Sequence, residues 1–217
     1  MMEAATRWTP HVGEVVRVVS EWAKHIMAIV VIFSVGQLLG YEWTGSVSSE
    51  LGDHRNWSGD AGAWLFTKGG SFTLSDDLTL DAGVTVRTPD DSKLVFDLGA
   101  EHVLKLSSTY FCDANHTTVE FRSGTLENTG AEINLLSSSD WGVQKNYNIF
   151  RLMGKDTFLK STKNTIFSYH GSHSRFEMTD RARFEGKFRL GGGNPKYQTI
   201  AILDGASFVN KCPLAVY

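Results

Sequence analysis

The sequence predicts an all-β fold built as a solenoid of stacked coils, preceded by a hydrophobic N-terminal helix. Two observations carry the solenoid. The first is a repeated phrase. Phe176-Glu-Met-Thr-Asp-Arg-Ala-Arg-Phe184 returns about 24 residues later as Ile200-Ala-Ile-Leu-Asp-Gly-Ala-Ser-Phe208. An earlier copy, Phe150-Arg-Leu-Met-Gly-Lys-Asp-Thr-Phe158, precedes it by nearly the same interval. A near-constant period of this size marks units that cannot bury their apolar face alone and must stack. The second is alternation over very short runs, such as Leu78-Thr-Leu80, Val84-Thr-Val86, Val119-Glu-Phe121 and Phe188-Arg-Leu190, which is the pattern of half-buried strands.

The N-terminal element comes first. Ile26 to Leu39 is a run without a charge, behind Arg7, Arg17 and Lys24. A basic flank ahead of an apolar stretch of about 7–15 residues is the pattern of a secretory signal, and the run is short beside the ~20 residues of a spanning helix. Residues 1–40 therefore read as a signal peptide or an uncleaved signal anchor, with residues 26–41 as the membrane-contacting part. The competing reading is a core helix of the domain. Residues 41–70 form a capping segment at the start of the solenoid, and residues 71–217 its repeats.

Within the repeats, turn formers punctuate the strands: Asp76-Asp77, Asp81-Ala-Gly83, Pro89-Asp-Asp91, Asn128-Thr-Gly130 and Gly191-Gly-Gly-Asn-Pro195. Gly70 to Asn210 leaves room for about six coils. Expected inward residues include Leu80, Val84, Phe150, Leu152, Phe176, Met178, Ile200 and Ile202. Phe158, Phe184 and Phe208 are expected to stack as one interior ladder. A β-sandwich is the rival architecture; its hairpins would repeat every ~8–12 residues, shorter than the period seen.

Composition narrows the function. The net charge is −3 and no basic block occurs, so no nucleic-acid partner is expected. Cys112 and Cys212 lie far apart in the chain, without the close Cys or His neighbours of a zinc site. They are expected as free, buried thiols. No cofactor fingerprint, phosphate loop or nucleophile elbow appears.

Tyr41-Glu-Trp-Thr-Gly45, followed by Arg55-Asn-Trp-Ser-Gly59, resembles the start of secreted bacterial proteins with autotransporter-associated β-strand repeats. Asp204-Gly-Ala-Ser-Phe208 is similar to a recurrent phrase of the same repeats. The resemblance covers about residues 41–210. It implies a right-handed parallel β-helix passenger at a bacterial cell surface or outside the cell. The chain departs from it where Asp180-Arg-Ala182 lacks the glycine and where no barrel or sorting tail follows, so a short or truncated member is expected.

Against that background, Tyr169 to Arg175 is the densest polar cluster, with His170, His173 and Arg175 suited to orienting an anionic sugar. Its nearest acid is taken as Asp180, so the cluster lacks a carboxylate in its own repeat. Trp43 and Trp57 suit ring stacking on a sugar, or capping of the first coil. The Asp pairs at turns suit local backbone hydrogen bonds better than catalysis. The expected function is an exported, adhesin-like structural passenger, non-catalytic, which binds through its solenoid face. Expected partners are surface glycans, or a second copy at the open end of the stack. The alternative is a carbohydrate-active β-helix enzyme, a lyase or hydrolase, or a fragment of one.

Overall fold

The structure is a computed structural model, described for residues 40–59, 62–107, 109–111, 114–130, 132–136, 145–168, 171–191 and 197–212. The expected N-terminal helix, His170 and Cys112 lie outside these residues. Short strands alternate with turns and pair in parallel at each successive coil, which gives a β-solenoid of about 6 turns. Among the described residues the one helical element is a 3-10 turn, His54–Asn56, and no helix is long and apolar enough to cross a membrane.

Each coil has three faces. The first is formed by strands Gly70–Thr73, Lys93–Asp97, the first half of Thr118–Asn128, Ile149–Met153, Arg175–Thr179 and Thr199–Ile202. The second runs through Leu78–Leu80, Val103–Leu106, the second half of Thr118–Asn128, the start of Thr157–Phe167, the start of Arg183–Leu190 and Ser207–Asn210. The third holds Ala63–Phe66, Val84–Val86, Thr109–Phe111, Ile133–Leu135 and the ends of the two long strands.

Alternation places every second residue inside, and parallel register turns those residues into ladders along the axis. On the first face Phe72, Phe96, Phe121, Leu152, Met178 and Ile202 share one register. The rings of Phe72 and Phe96 stack at 4.7 Å, and those of Phe96 and Phe121 at 4.6 Å. Nearly all of this row is fully buried, which stabilises the fold by roughly 1.5–3 kcal/mol per side chain. The last member is the exception. Ile202 is expected inside but is 43% exposed, because no described strand lies beyond Thr199–Ile202. Leu203 and Val209 of the same coil are also exposed.

The repeated phrase holds on one face and slips on the next. Phe150, Phe176 and Ile200 are in register, as expected. Phe184 and Phe208 stack at 4.8 Å inside. Phe158 does not join them: it pairs with Arg183, and Leu159 pairs with Phe184. Between the paired residues Met153/Thr179 and Phe158/Arg183, the earlier coil has one more turn residue than the later one. One extra residue shifts the phase of a period-two strand, so Leu159 goes in and Phe158 goes out.

The first coil is closed by aromatics. Gly40–Trp43 pairs in parallel with Ala63–Phe66, while Trp57–Ser58 folds back antiparallel on it. Trp57 packs edge-on against Trp43, Trp64 and Phe66, and its indole N–H donates to the Leu51 carbonyl at 2.9 Å. Buried Asn56 ties the segment together: Oδ1 accepts from the Val47 and Ser48 amides, and Nδ2 donates to Ser48 Oγ and the Glu50 carbonyl. At the far end Cys212 is free and only half-buried, where a buried thiol was expected.

Outward rows carry charge of alternating sign. On the second face Lys105, Glu127, Lys160 and Glu185 follow one another in register. Lys160 donates to Glu127 at 2.7 Å, and Lys211 pairs with Glu185.

Candidate functional site

The corner that leads into the first face is built by two residues per coil. The first is an amide or carboxylate: Asp90, Asn115, Asn146, with Ser172 in the fourth coil. Asp90 Oδ1 accepts from the Asn115 amide at 2.9 Å, Asn115 Oδ1 from the Asn146 amide at 3.0 Å, and Asn146 Oδ1 from the Ser172 amide at 3.2 Å. These side chains run up the corner as a hydrogen-bonded ladder.

The second residue of each corner is left-handed: Asp91 (φ 63°), His116 (52°), Tyr147 (59°), His173 (55°) and Tyr197 (55°). This conformation turns the backbone so that Asp91, His116 and Tyr147 donate their N–H groups to the carbonyls of Asn115, Asn146 and Ser172, each one coil on. Asp and His tolerate it better than most residues, but Tyr does not, and each such residue costs about 1–3 kcal/mol.

The side chains of these five residues form an exposed column. Asp91 pairs with His116 at 3.2 Å. The His116 ring meets Tyr147 edge-on at 5.1 Å. Tyr147 stacks on His173 at 4.6 Å, and His173 on Tyr197 at 4.7 Å. Tyr147 is 53% and Tyr197 73% exposed. From Tyr147 to Tyr197 neighbouring rings therefore stack face to face, while ring edges and the Tyr197 end of the column meet solvent.

Further along each strand lies an outward row of the first face: Val95, Glu120, Arg151, Glu177 and Ala201. Arg151 joins both carboxylates, donating from Nη1 to Glu120 at 3.1 Å and from Nε to Glu177. Lys93 and Arg122 also reach Glu120, at 3.2 and 2.6 Å, and Arg175 reaches Glu177. The carboxylates lie beneath the cations: Glu120 and Glu177 side chains are 2% and 10% exposed, against 50%, 50%, 27% and 45% for Lys93, Arg122, Arg151 and Arg175.

Burial works to raise the Glu120 carboxyl, but hydrogen bonds from Arg122, Lys93 and Arg151 outweigh it and hold the group below the usual carboxylate range. Burial likewise opposes the charge on Arg151, and its bonds to Glu177 and Glu120 prevail, raising its affinity for the proton. A general acid needs the reverse, a carboxyl held protonated near neutral pH.

Of the residues singled out by sequence, His173 and Arg175 lie together here, on the corner and on the strand that leaves it. Arg175 does have a carboxylate in its own repeat: Glu177, on the same strand, corrects the assignment of Asp180 as the nearest acid. Asp180 stands at a left-handed turn at the opposite end of this strand, and Asp204 at the matching turn after Thr199–Ile202 in the next coil. Trp43 and Trp57 are 4% and 9% exposed inside the first coil, and sit apart from this surface. Asp77 and Asp90 bond backbone amides of the next coil, Val103 and Asn115.

His116, Tyr147, Tyr197, Glu120 and Arg151 escaped the sequence reading. Their signal is a fixed place within each first-face repeat. It is hidden because the corner residues Asp90, Asn115, Asn146 and Ser172 are unequally spaced, with the longest step between Asn115 and Asn146. Among the described residues no group of His, Cys, Asp and Glu is placed to hold a metal ion. No protein family, no curated protein and no solved structure matches the chain.

Proposed function

We propose that this chain is an exported, passenger-like solenoid of a cell surface, non-catalytic, which binds glycans through the corner column and the first face beside it. The single observation that carries the binding reading is the exposed column of His116, Tyr147, His173 and Tyr197. Left-handed tyrosines are unfavourable; the inter-coil bond from the Tyr147 N–H offsets part of that cost, while the rings of Tyr147 and Tyr197 lie in solvent and not in the core. Strain kept at a solvent-facing site is a mark of function. We take the coil as right-handed, the hand that parallel crossovers adopt. Export rests on the apolar run behind a basic flank and on the resemblance to autotransporter-associated repeats.

A non-catalytic role is supported by the state of the two carboxylates. Each is tied to at least two cations, and Glu120 is held ionised, unsuited to protonating a leaving group. The test is a glycan array probed with the full chain, alongside an assay for new reducing ends and unsaturated products. Binding without turnover, reduced by Tyr197→Ala, is the expected result. Turnover that is lost in Glu120→Gln would favour the carbohydrate-active alternative.

A further inference from the structure

We infer that the ligand of this surface is a linear acidic polysaccharide, laid along the solenoid axis over the corner column from His116 to Tyr197 and the outward row from Glu120 to Ala201. The inference rests on the glycan-binding reading above and adds the ligand's charge, its direction and its contacts.

Charge is the first argument. The chain as a whole is negative, yet this face presents Arg122, Arg151 and Arg175, one from each of three successive coils, and Lys93 reaches up to Glu120 from the coil beneath. Their two carboxylate partners lie beneath them, so the groups that a ligand meets first are cations. The bonds of Arg122 and Arg175 to carboxylates run through Nε, which leaves the Nη groups of both guanidiniums for a carboxylate or sulfate. Acid groups bound this way take charge-assisted, fork-like contacts. Asp91 and the Asp97 carboxylate, bonded by Ser123, mark the lower boundary. They repel an anion, so the polymer lies above them.

Geometry is the second argument. Coils repeat at about 4.8 Å, and both the cations and the ring edges rise with them. A polymer that carries one ring after another with hydroxyls on its flank meets a new ring in each coil from His116 to Tyr197, and a new cation in the first three of these coils. The same geometry disfavours a single-stranded nucleic acid. Such a strand is held by bases stacking on open aromatic faces, and here both faces of His173 and one face of Tyr147 are covered by neighbouring rings of the column.

The test compares neutral and acidic polymers. The full chain is run in affinity electrophoresis and titration calorimetry against dextran, dextran sulfate, alginate and an oligothymidylate. Dextran sulfate and alginate separate sulfate from carboxylate as the acid group. Binding to at least one of the two acidic polymers is expected, weakening as salt screens the contacts. Arg122→Gln with Arg175→Gln is expected to lower affinity about tenfold or more, the value of one charge-assisted contact. Glu177→Gln is expected to raise it, because it frees Arg175. The Glu177 variant guards against misfolding as the explanation, since damage does not strengthen binding. Equal binding of dextran and dextran sulfate would overturn the acidic ligand and leave the glycan reading standing. Binding to none of the saccharides would overturn both. Preference for the oligothymidylate would overturn the saccharide class.

Discussion

The guanidinium of Arg183 lies 4.6 Å over the ring of Phe158, one coil away. The pair sits on the outside of the second face, while the neighbouring Leu159 is fully buried against Phe184 in the interior. Two adjacent apolar residues thus have opposite fates, and their substitutions should differ accordingly. Leu159→Ala opens a cavity and should cost about 2–5 kcal/mol. Phe158→Ala removes an exposed cation–π contact and should cost about 0.5–1 kcal/mol. Denaturant titration of the two variants checks this. Equal losses would contradict the register.

The Asp180-Arg181 turn and the Asp204-Gly205 turn share one conformation. Arg181 stands at φ 65° and Gly205 at φ 72°. A left-handed conformation costs a side-chain-bearing residue about 1–2 kcal/mol, while glycine adds about 0.5–1 kcal/mol of unfolded-state entropy. Arg181→Gly should therefore stabilise the chain by up to about 1.5 kcal/mol, the difference of these terms. Gly205→Val should destabilise it. Melting temperatures of both variants give the answer, and a fall in Arg181→Gly would show that its side chain contributes more than its backbone loses.

Acid sensitivity should concentrate at Glu120. Its carboxyl is held below the usual range in the folded chain by the Arg122, Lys93 and Arg151 bonds, against the effect of burial. The folded state then binds fewer protons than the unfolded state in acid. The stabilisation is fully present above the ordinary glutamate value of about 4.3 and is lost as pH falls through the depressed folded value. The stability gap between the native chain and Glu120→Gln should be widest near neutral pH and close as the solution is acidified below that range. Melts at a series of pH values measure the gap; a gap independent of pH would show that the charge is not what stabilises.

The Lys160 ammonium sits between Glu127 and Glu185, and the Glu127 hydrogen bond holds its proton more firmly. Lys160→Gln should change stability little, as exposed ion pairs do. Lys160→Glu should be clearly worse, since it stacks three carboxylates in register. The two denaturation midpoints decide it, and added salt should narrow the difference.

The all-β class and the stacked coil were legible from the period of the repeated phrase and from short alternating runs. Phe150, Phe176 and Ile200 could be matched because the loop between them hardly changes length. Phe158 could not be placed, since one extra residue in the turn at Gly154 reverses the phase of its strand without leaving a mark in composition. The corner column was less legible still. His173 and Arg175 stood out as a local polar cluster, but Tyr147 and His116 are separated by a longer connection that breaks the period. Glu120, Arg151 and Glu177 read individually as ordinary solvated charges. Their meaning depends on register between coils, which no local spacing encodes.

The interior ladder of the first face is blind to which coil is which. From Phe72 through Phe96, Phe121, Leu152 and Met178 to Ile202 every level of the first-face row is apolar, so a strand of this face that docked one level too far would still find apolar neighbours. The outer rows are not blind. A strand that skipped a level would set Glu127 beside Glu185 and Glu120 beside Glu177, like charge on like charge, with the intervening Lys160 and Arg151 displaced. Sign alternation therefore acts as a parity check on assembly: it tolerates a neighbour and rejects the next but one. Where the first-face core gives so little information about order, the surface carries it.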